Sequence, residues 1–273
     1  MSECTHDCST CGESCSDRDP KSLIKPANGF SKIGKVIAVV SGKGGVGKSM
    51  VTALMAHAMK EKGKSVAILD ADITGPSIPQ MFGVHENASG TEDGILPSES
   101  KGGIELMSVN LLLPNEEDPV VWRGPVIAGT VQQFWTDVIW GNVDYMFVDM
   151  PPGTGDVPLT VFQSLPVDGI IVVTSPQELV GMIVGKAVKM AGLMDIPVLA
   201  LVENMAYFEC PNCKEKHYIF GESHIEQVAG KFGIEKTAQI PMNSELSKLS
   251  DAGNIEASKG EWLKELADMV ESL

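Results

Sequence analysis

The stretch VIAVVSGKGGVGKS, residues 36–49, decides the fold. Its first six residues are mostly β-branched and apolar, a buried-strand pattern that runs straight into glycines. Gly42, four residues, then Gly47-Lys48-Ser49 complete the phosphate-binding loop pattern. A helix pattern follows at once: Val51, Leu54, Met55, Ala58 and Met59 share one stripe of Met50–Lys62. Each residue type suits a phosphate. Gly42, Gly44, Gly45 and Gly47, with Val46 among them, let backbone N–H groups turn inward, and the helix adds its positive N-terminus. Lys48 then reaches the β- and γ-phosphates, and the Ser49 hydroxyl takes Mg²⁺. Lys43 is not required by an ordinary loop of this kind. The ligand this predicts is ATP with Mg²⁺.

Outward from the loop, short apolar runs alternate with helical patterns. The runs are VAILD (66–70), IELMSV (104–109), YMFVD (145–149), GIIVVT (169–174) and VLALV (198–202). Helical stripes cover 126–140 and 178–194. Strands that are apolar throughout belong in a sheet buried on both faces, so the predicted fold is α/β, a doubly wound, mainly parallel sheet. Two runs end in acids. Asp149 closes YMFVD, where a Walker-B carboxylate holds Mg²⁺. Asp72, in DAD at 70–72, is placed to position the attacking water, while Asp70 reads as well as a turn residue. The C-terminal GEWLKELADMVESL (260–273) puts Trp262, Leu263, Leu266, Met269, Val270 and Leu273 on one face, a helix docked on the core. Its polar face is acidic, with only Lys264 basic, which does not suit a membrane surface.

With 21 Lys and Arg against 36 Asp and Glu, the 273-residue chain carries a net charge of −15, which excludes a general affinity for nucleic acid or anionic lipid. No apolar run is long enough to span a membrane, and the N-terminus has no secretory signal pattern. Residues 1–19 form a polar, Cys-rich tail that needs a metal to order it. Residues 20–34 read as a linker, and 35–273 as the ATPase domain.

All six cysteines fall in two groups, and a long chain without a signal points to thiolate–metal chemistry in a reducing cytoplasm rather than to disulfides. Cys210 and Cys213 lie in FECPNCKEKH (208–217), half of a four-ligand site. His217, with His224 or a ligand from the tail as the fourth, would complete a zinc knuckle in one chain. Cys4, Cys8, Cys11 and Cys15 suffice for one cluster or one zinc. Zinc and iron–sulfur both accept four thiolates, and the residues by themselves choose neither.

GKGGVGKS (42–49) resembles the deviant Walker A loop of the ParA/MinD/nitrogenase iron protein class, the SIMIBI-type P-loop NTPases. In that class the lysine at the position of Lys43 crosses a dimer interface to the partner's nucleotide, which implies a homodimer holding two ATPs. SGKGGVGKS, DADITGPSIP (70–79), WRGP (122–125), DMPPGTGD (149–156), ENM (203–205) and CPNC (210–213), in that order, resemble the Mrp (ApbC-like) family of iron–sulfur cluster carrier ATPases. The resemblance implies slow ATP hydrolysis, an adenine contact by Asn204, and one [4Fe–4S] cluster bridging the Cys210/Cys213 pairs of two chains. It also implies a second cluster in the tail and delivery to apo recipient proteins. Two competitors are a MinD/ParA-like positioning ATPase, which predicts a basic surface this chain lacks, and a zinc-stabilised regulatory ATPase.

Overall fold

The structure is a computed structural model that describes residues 23–73, 75–115, 122, 124–153, 155–176 and 180–273. The tail cysteines Cys4, Cys8, Cys11 and Cys15 lie outside the described residues. In chain order the strands are β1 (Lys32–Ser41), β2 (Val66–Asp70), β3 (Ser89–Gly90), β4 (Ile95–Leu96), β5 (Ser98–Glu99), β6 (Glu105–Met107), β7 (Asn142–Asp149), β8 (Gly169–Thr174), β9 (Val198–Asn204), β10 (Phe208–Glu209), β11 (Lys216–His217) and β12 (Lys236–Ile240). The helices are α1 (Lys48–Glu61), α2 (Ile78–Phe82), α3 (Gly124–Thr136), α4 (Asp156–Ser164), α5 (Val180–Leu193), α6 (Ile225–Phe232), α7 (Ser244–Asp251) and α8 (Lys264–Glu271).

Eight strands form one sheet in the order β12-β9-β8-β1-β7-β2-β6-β5. Every pairing is parallel except β5 with β6 at the edge. The pleat of β1 shows why both faces are covered. Val36, Ala38 and Val40 join one core with α3, α4, α5 and α6, while Ile37 and Val39 join the other with α1, α2, α7 and α8. A strand with two apolar faces is stable only between two helical layers. The doubly wound expectation holds. β2 and β8 match their sequence runs at both ends.

The differences have physical causes. The 126–140 stripe ends as a helix at Thr136. Beyond it, Ile95 donates to the Asp137 carbonyl at 2.9 Å and Ile139 donates to the Ile95 carbonyl at 2.8 Å. That backbone is committed to β4 and cannot continue a helix. Trp140 is still fully buried, its indole N–H on the Phe134 carbonyl at 3.0 Å. β6 keeps only three residues of the 104–109 run, because Val109 opens a 3-10 turn. Leu263, Leu266 and Val270 are buried under the sheet as expected, but Leu273, past the last helical turn, is exposed. β1 begins at Lys32, ahead of the boundary set by composition. Before it, Lys25 lies against the domain: its N–H donates to Ser164 at 2.9 Å, and its carbonyl accepts from Trp135 Nε1 at 2.8 Å. β12, KTAQI, escaped notice because as an edge strand it is polar and only half-buried.

The opposite edge carries an electrostatic strain. Glu105 on β6 lies opposite Glu99 on β5, and its Oε2 is buried without a hydrogen-bond partner among the described residues. Burial first, and the Glu99 charge second, push the Glu105 carboxyl up from 4.5 to about 7, with Lys60 opposing. The folded chain therefore holds a proton that the unfolded chain releases earlier, and stability falls as pH rises from about 4.5 to about 7. Glu105→Gln should raise stability at pH 8 by about 1 kcal/mol after allowance for solvent screening, and leave it unchanged at pH 4. Urea unfolding at the two pH values checks this; equal shifts at both would mean that charge is not the cause.

Candidate nucleotide site and cysteine hairpin

In open α/β sheets, ligands sit beyond the carboxyl ends of the strands, where the strand order reverses. Here β1 lies between β8 and β7, and the loop 42–47 joins β1 to α1 at that point. Gly45 and Gly47 take φ of 80° and 83°, so successive amides turn inward. Lys48 opens α1, is 6% exposed, and puts Nζ 2.8 Å from Asp149 Oδ1 and 3.5 Å from Asp72 Oδ2. Asp149 ends β7 with no exposure at all. It also accepts from Ser49 Oγ at 2.5 Å and from Thr52 Oγ1 at 2.8 Å. Lys48, Ser49, Asp72 and Asp149 thus form one cluster, as their strand-end and loop positions predict.

Asp70 belongs to it too. It is the register partner of Asp149 on the neighbouring strand and is 1% exposed. Burial first, then the Asp149 charge, push its carboxyl up to about 8, with Lys48 pulling the other way. It accepts from the Asp72 amide and from Ser108 Oγ, each at 3.1 Å. Sequence reasoning left Asp70 undecided and missed Thr52 and Ser108. The signals for the first two were there. Two strands ending in Asp sit side by side in the sheet, and Thr52 lies one helical turn after Lys48. Nothing local marks Ser108.

A cavity of about 690 Å³ opens in front of this cluster. Its lining joins Gly44, Gly45, Gly47, Lys48, Ser49 and Asp72 to Met205, Phe208, Met242 and Leu246, with Asn243, Ser244 and Ser247 among the last. That volume and lining suit a nucleoside triphosphate, phosphates against the loop and base against the apolar wall. The apolar wall was not foreseen, since 241–247 carries no nucleotide motif and arrives only through the fold. Asn204 ends β9 in the cavity wall, and its Nδ2 donates to the Val46 carbonyl at 3.0 Å. One of the two N–H groups of its side-chain amide thus holds the loop, in addition to the adenine contact that the family resemblance implies for it. Lys43 is exposed and does not line this cavity. Gly153 donates to the Ser41 carbonyl at 2.8 Å, joining the loop after Asp149 to the phosphate loop.

Cys210 and Cys213 occupy the turn of the hairpin β10–β11, one half-exposed and one exposed, both free thiols. Cys210 N–H donates to Glu215 O, and Lys214 N–H to Cys210 O, each at 2.9 Å. The backbone N–H of Cys213 first, then that of Asn212, hold the Cys210 thiol below its ordinary pKa, favouring thiolate. Among the described residues, no group of three or more His, Cys, Asp or Glu gathers to hold a metal. His217 and His224 therefore do not complete a one-chain zinc knuckle there, and Cys210 and Cys213 stand as a pair of free thiols.

The family model of the NUBPL iron-transfer P-loop NTPases matches residues 32–273. This chain belongs to that family. Two relatives named iron-sulfur cluster carrier protein are similar over most of their length. That of Methanocaldococcus jannaschii is 44% identical over 261 residues, covering 93% of this chain and 90% of its own. That of Clostridium perfringens is 41% identical over 250 residues, covering 89% and 87%. Among solved structures, a nucleotide-binding protein from Archaeoglobus fulgidus in complex with ADP is 45% identical. It covers 91% of this chain and 96% of its own, with a TM-score of 0.78. The Pyrococcus furiosus cell division ATPase MinD shares the fold at 19% identity and a TM-score of 0.58, over 88% and 99%.

Within the phosphate loop of this iron-transfer NTPase, Gly47 is the tightest constraint. Its φ of 83° disfavours any side chain, and an added Cβ would stand 2.1 Å from Asn204 Nδ2. Gly47→Ala should lower stability by about 2 kcal/mol and weaken ADP binding by at least about tenfold, because both loop and Asn204 must shift. Isothermal titration and thermal unfolding measure the two effects, and normal ADP affinity in the variant would contradict this account of the loop.

Proposed function

We propose that this chain binds ATP and Mg²⁺ as a homodimer, and that hydrolysis governs how two Cys210/Cys213 pairs hold a shared [4Fe–4S] cluster destined for apo recipient proteins. As a P-loop NTPase of the iron-transfer family, the chain is a cluster-carrier ATPase. The observation that carries the proposal is a short connection. Phe208 lines the nucleotide cavity and lies two residues before Cys210 on the same hairpin. What fills the cavity therefore bears on the root of the cysteine turn.

Each residue has a part. The loop amides and Lys48 bind the phosphates. Ser49 and Asp149 offer hard oxygen donors 2.5 Å apart, the donor chemistry Mg²⁺ prefers, so the site fits that ion. Bound there, Mg²⁺ would neutralise charge on the β- and γ-phosphate oxygens. Asp72, partly buried in the cavity lining, orients the attacking water. Lys43, exposed and outside its own chain's cavity lining, would serve a partner's nucleotide, as the family resemblance implies. The cluster is cargo. Its thiolate ligands are exposed, which suits a group that must leave, and the amides aimed at Cys210 stabilise its charge. Two thiols per chain and four per cluster make the cargo site complete only in a dimer. The tail cysteines would hold a second cluster. Among the described residues, no helix is long and apolar enough to cross a membrane. We place the work in the cytoplasm, without nucleic acid or membrane as partner.

Two experiments test this. Iron, zinc and acid-labile sulfide are measured per chain after anaerobic reconstitution, for the natural chain and for Cys210→Ala/Cys213→Ala. The double variant should lose about two iron and two sulfide per chain, half of a four-iron cluster. Tightly bound zinc without sulfide would instead make the cysteines structural and the protein a regulatory ATPase. Separately, Lys43→Ala should slow ATP turnover by at least about 100-fold with the fold intact, as expected for loss of a cation at the transferred phosphate. Undiminished turnover would remove the cross-dimer role.

A further inference from the structure

Ser41 ends β1 and precedes the first glycine of the phosphate loop. Its side chain is 2% exposed, yet its Oγ has no hydrogen-bond partner among the described residues. Buried hydroxyls are seldom left so, because the lost hydration is not repaid within the protein. The backbone of Ser41 is already used, pairing with β8 at Val173 and accepting from the Gly153 amide at 2.8 Å. An alanine would serve those bonds equally well. The hydroxyl therefore has no part in the fold that the structure shows.

Its surroundings give it one. Ser41 lines the 690 Å³ cavity together with Gly44, Lys48, Asp72 and Pro152. On β1 it continues the side of Ile37 and Val39, the side on which α1 and Lys48 lie. It also sits where the phosphate loop meets the loop after Asp149, accepting from Gly153 and sharing the cavity lining with Pro152. That is the region a triphosphate's last phosphoryl group would reach. A neutral donor there adds a hydrogen bond without competing with Lys48 for Asp149.

We propose that Ser41 Oγ donates a hydrogen bond to the terminal phosphoryl group of bound ATP and so belongs to the hydrolytic site. The inference rests on the nucleotide reading above. ADP lacks that phosphoryl group, so the contact discriminates triphosphate from diphosphate.

The test compares the natural chain with Ser41→Ala and Ser41→Thr. Unfolding midpoints are taken without nucleotide, affinities for Mg·ADP and for a non-hydrolysable Mg·ATP analogue by titration, and hydrolysis in single turnover. Without nucleotide, Ser41→Ala should be at least as stable as the natural chain, since an unpaired hydroxyl is gone. Its ADP affinity should stay within about twofold, while analogue affinity falls about tenfold and the hydrolysis rate about 10- to 100-fold. Ser41→Thr, which keeps the hydroxyl, should recover most of both. Equal losses for ADP and the analogue, no loss at all, or a destabilised Ser41→Ala chain would each overturn the proposal, the last by showing that the hydroxyl has a structural partner. A natural chain that binds both nucleotides yet turns over no ATP would sink the ATPase reading, while the paired affinities would still judge Ser41.

Discussion

The structure turns on a carboxylate, Asp149, that has no exposure and is met by a lysine and two hydroxyls. A lone buried carboxylate would be driven to its neutral form. Asp149 is spared by Lys48 at 2.8 Å and by the hydroxyls of Ser49 and Thr52 at 2.5 and 2.8 Å. All three come from the first turns of α1, so the helix is fixed against β7 by the same bonds that satisfy the acid. Losing either partner of such a pair leaves the other uncompensated, which is why buried pairs constrain geometry more than they add stability. The phosphate loop lies between β1 and this helix, and its shape follows from where α1 is held.

A second acid is packed beside the first, and the two are kept apart in charge. Asp70 faces Asp149 across one pair of parallel strands, and its raised pKa is the consequence. Burial first, and the neighbouring Asp149 charge second, favour the neutral form of Asp70. It accepts the Asp72 amide, which fixes the strand-to-loop turn carrying Asp72 toward the cavity.

The legibility of the molecule follows the same physics. Strands buried on both faces were readable because nothing polar can interrupt them; β2 and β8 kept their sequence limits for that reason. The phosphate loop was readable because its glycines and lysine have one chemistry in common wherever they occur. Edges were not readable. β12 is half polar, β5 is two residues long, and the end of α3 was set by hydrogen bonds to β4, a partner far away in sequence. In the site, residues that touch phosphate announced themselves, whereas those that shape the rest did so weakly or not at all. Ser108 and the 241–247 wall reach the site through tertiary packing, which no local pattern encodes. The family resemblance supplied what the residues alone left open, an iron–sulfur reading over zinc and the proposal of a second chain to complete the thiolate set.

The wall that sequence did not reveal is also where the cavity and the cysteine hairpin meet. Asn204 holds the phosphate loop at Val46, and the next residue, Met205, adopts φ of 57°, a conformation a side chain with Cβ disfavours. Such a backbone persists only where its neighbours enforce it. Here they do so from one side: Ala206 donates to Ile240 at 3.0 Å, and Met242 donates to the Tyr207 carbonyl at 2.7 Å. The root of the cysteine hairpin is therefore clamped to the 240–242 segment, and Met205, Phe208 and Met242 all face the same cavity. A base pressed against that wall touches both sides of the clamp at once. The strained turn at Met205 then lies between the two ends of the coupling, the loop that grips phosphate and the turn that presents sulfur. Only the two residues of β10, Phe208 and Glu209, separate that clamp from Cys210, which is the short path the proposed coupling would use.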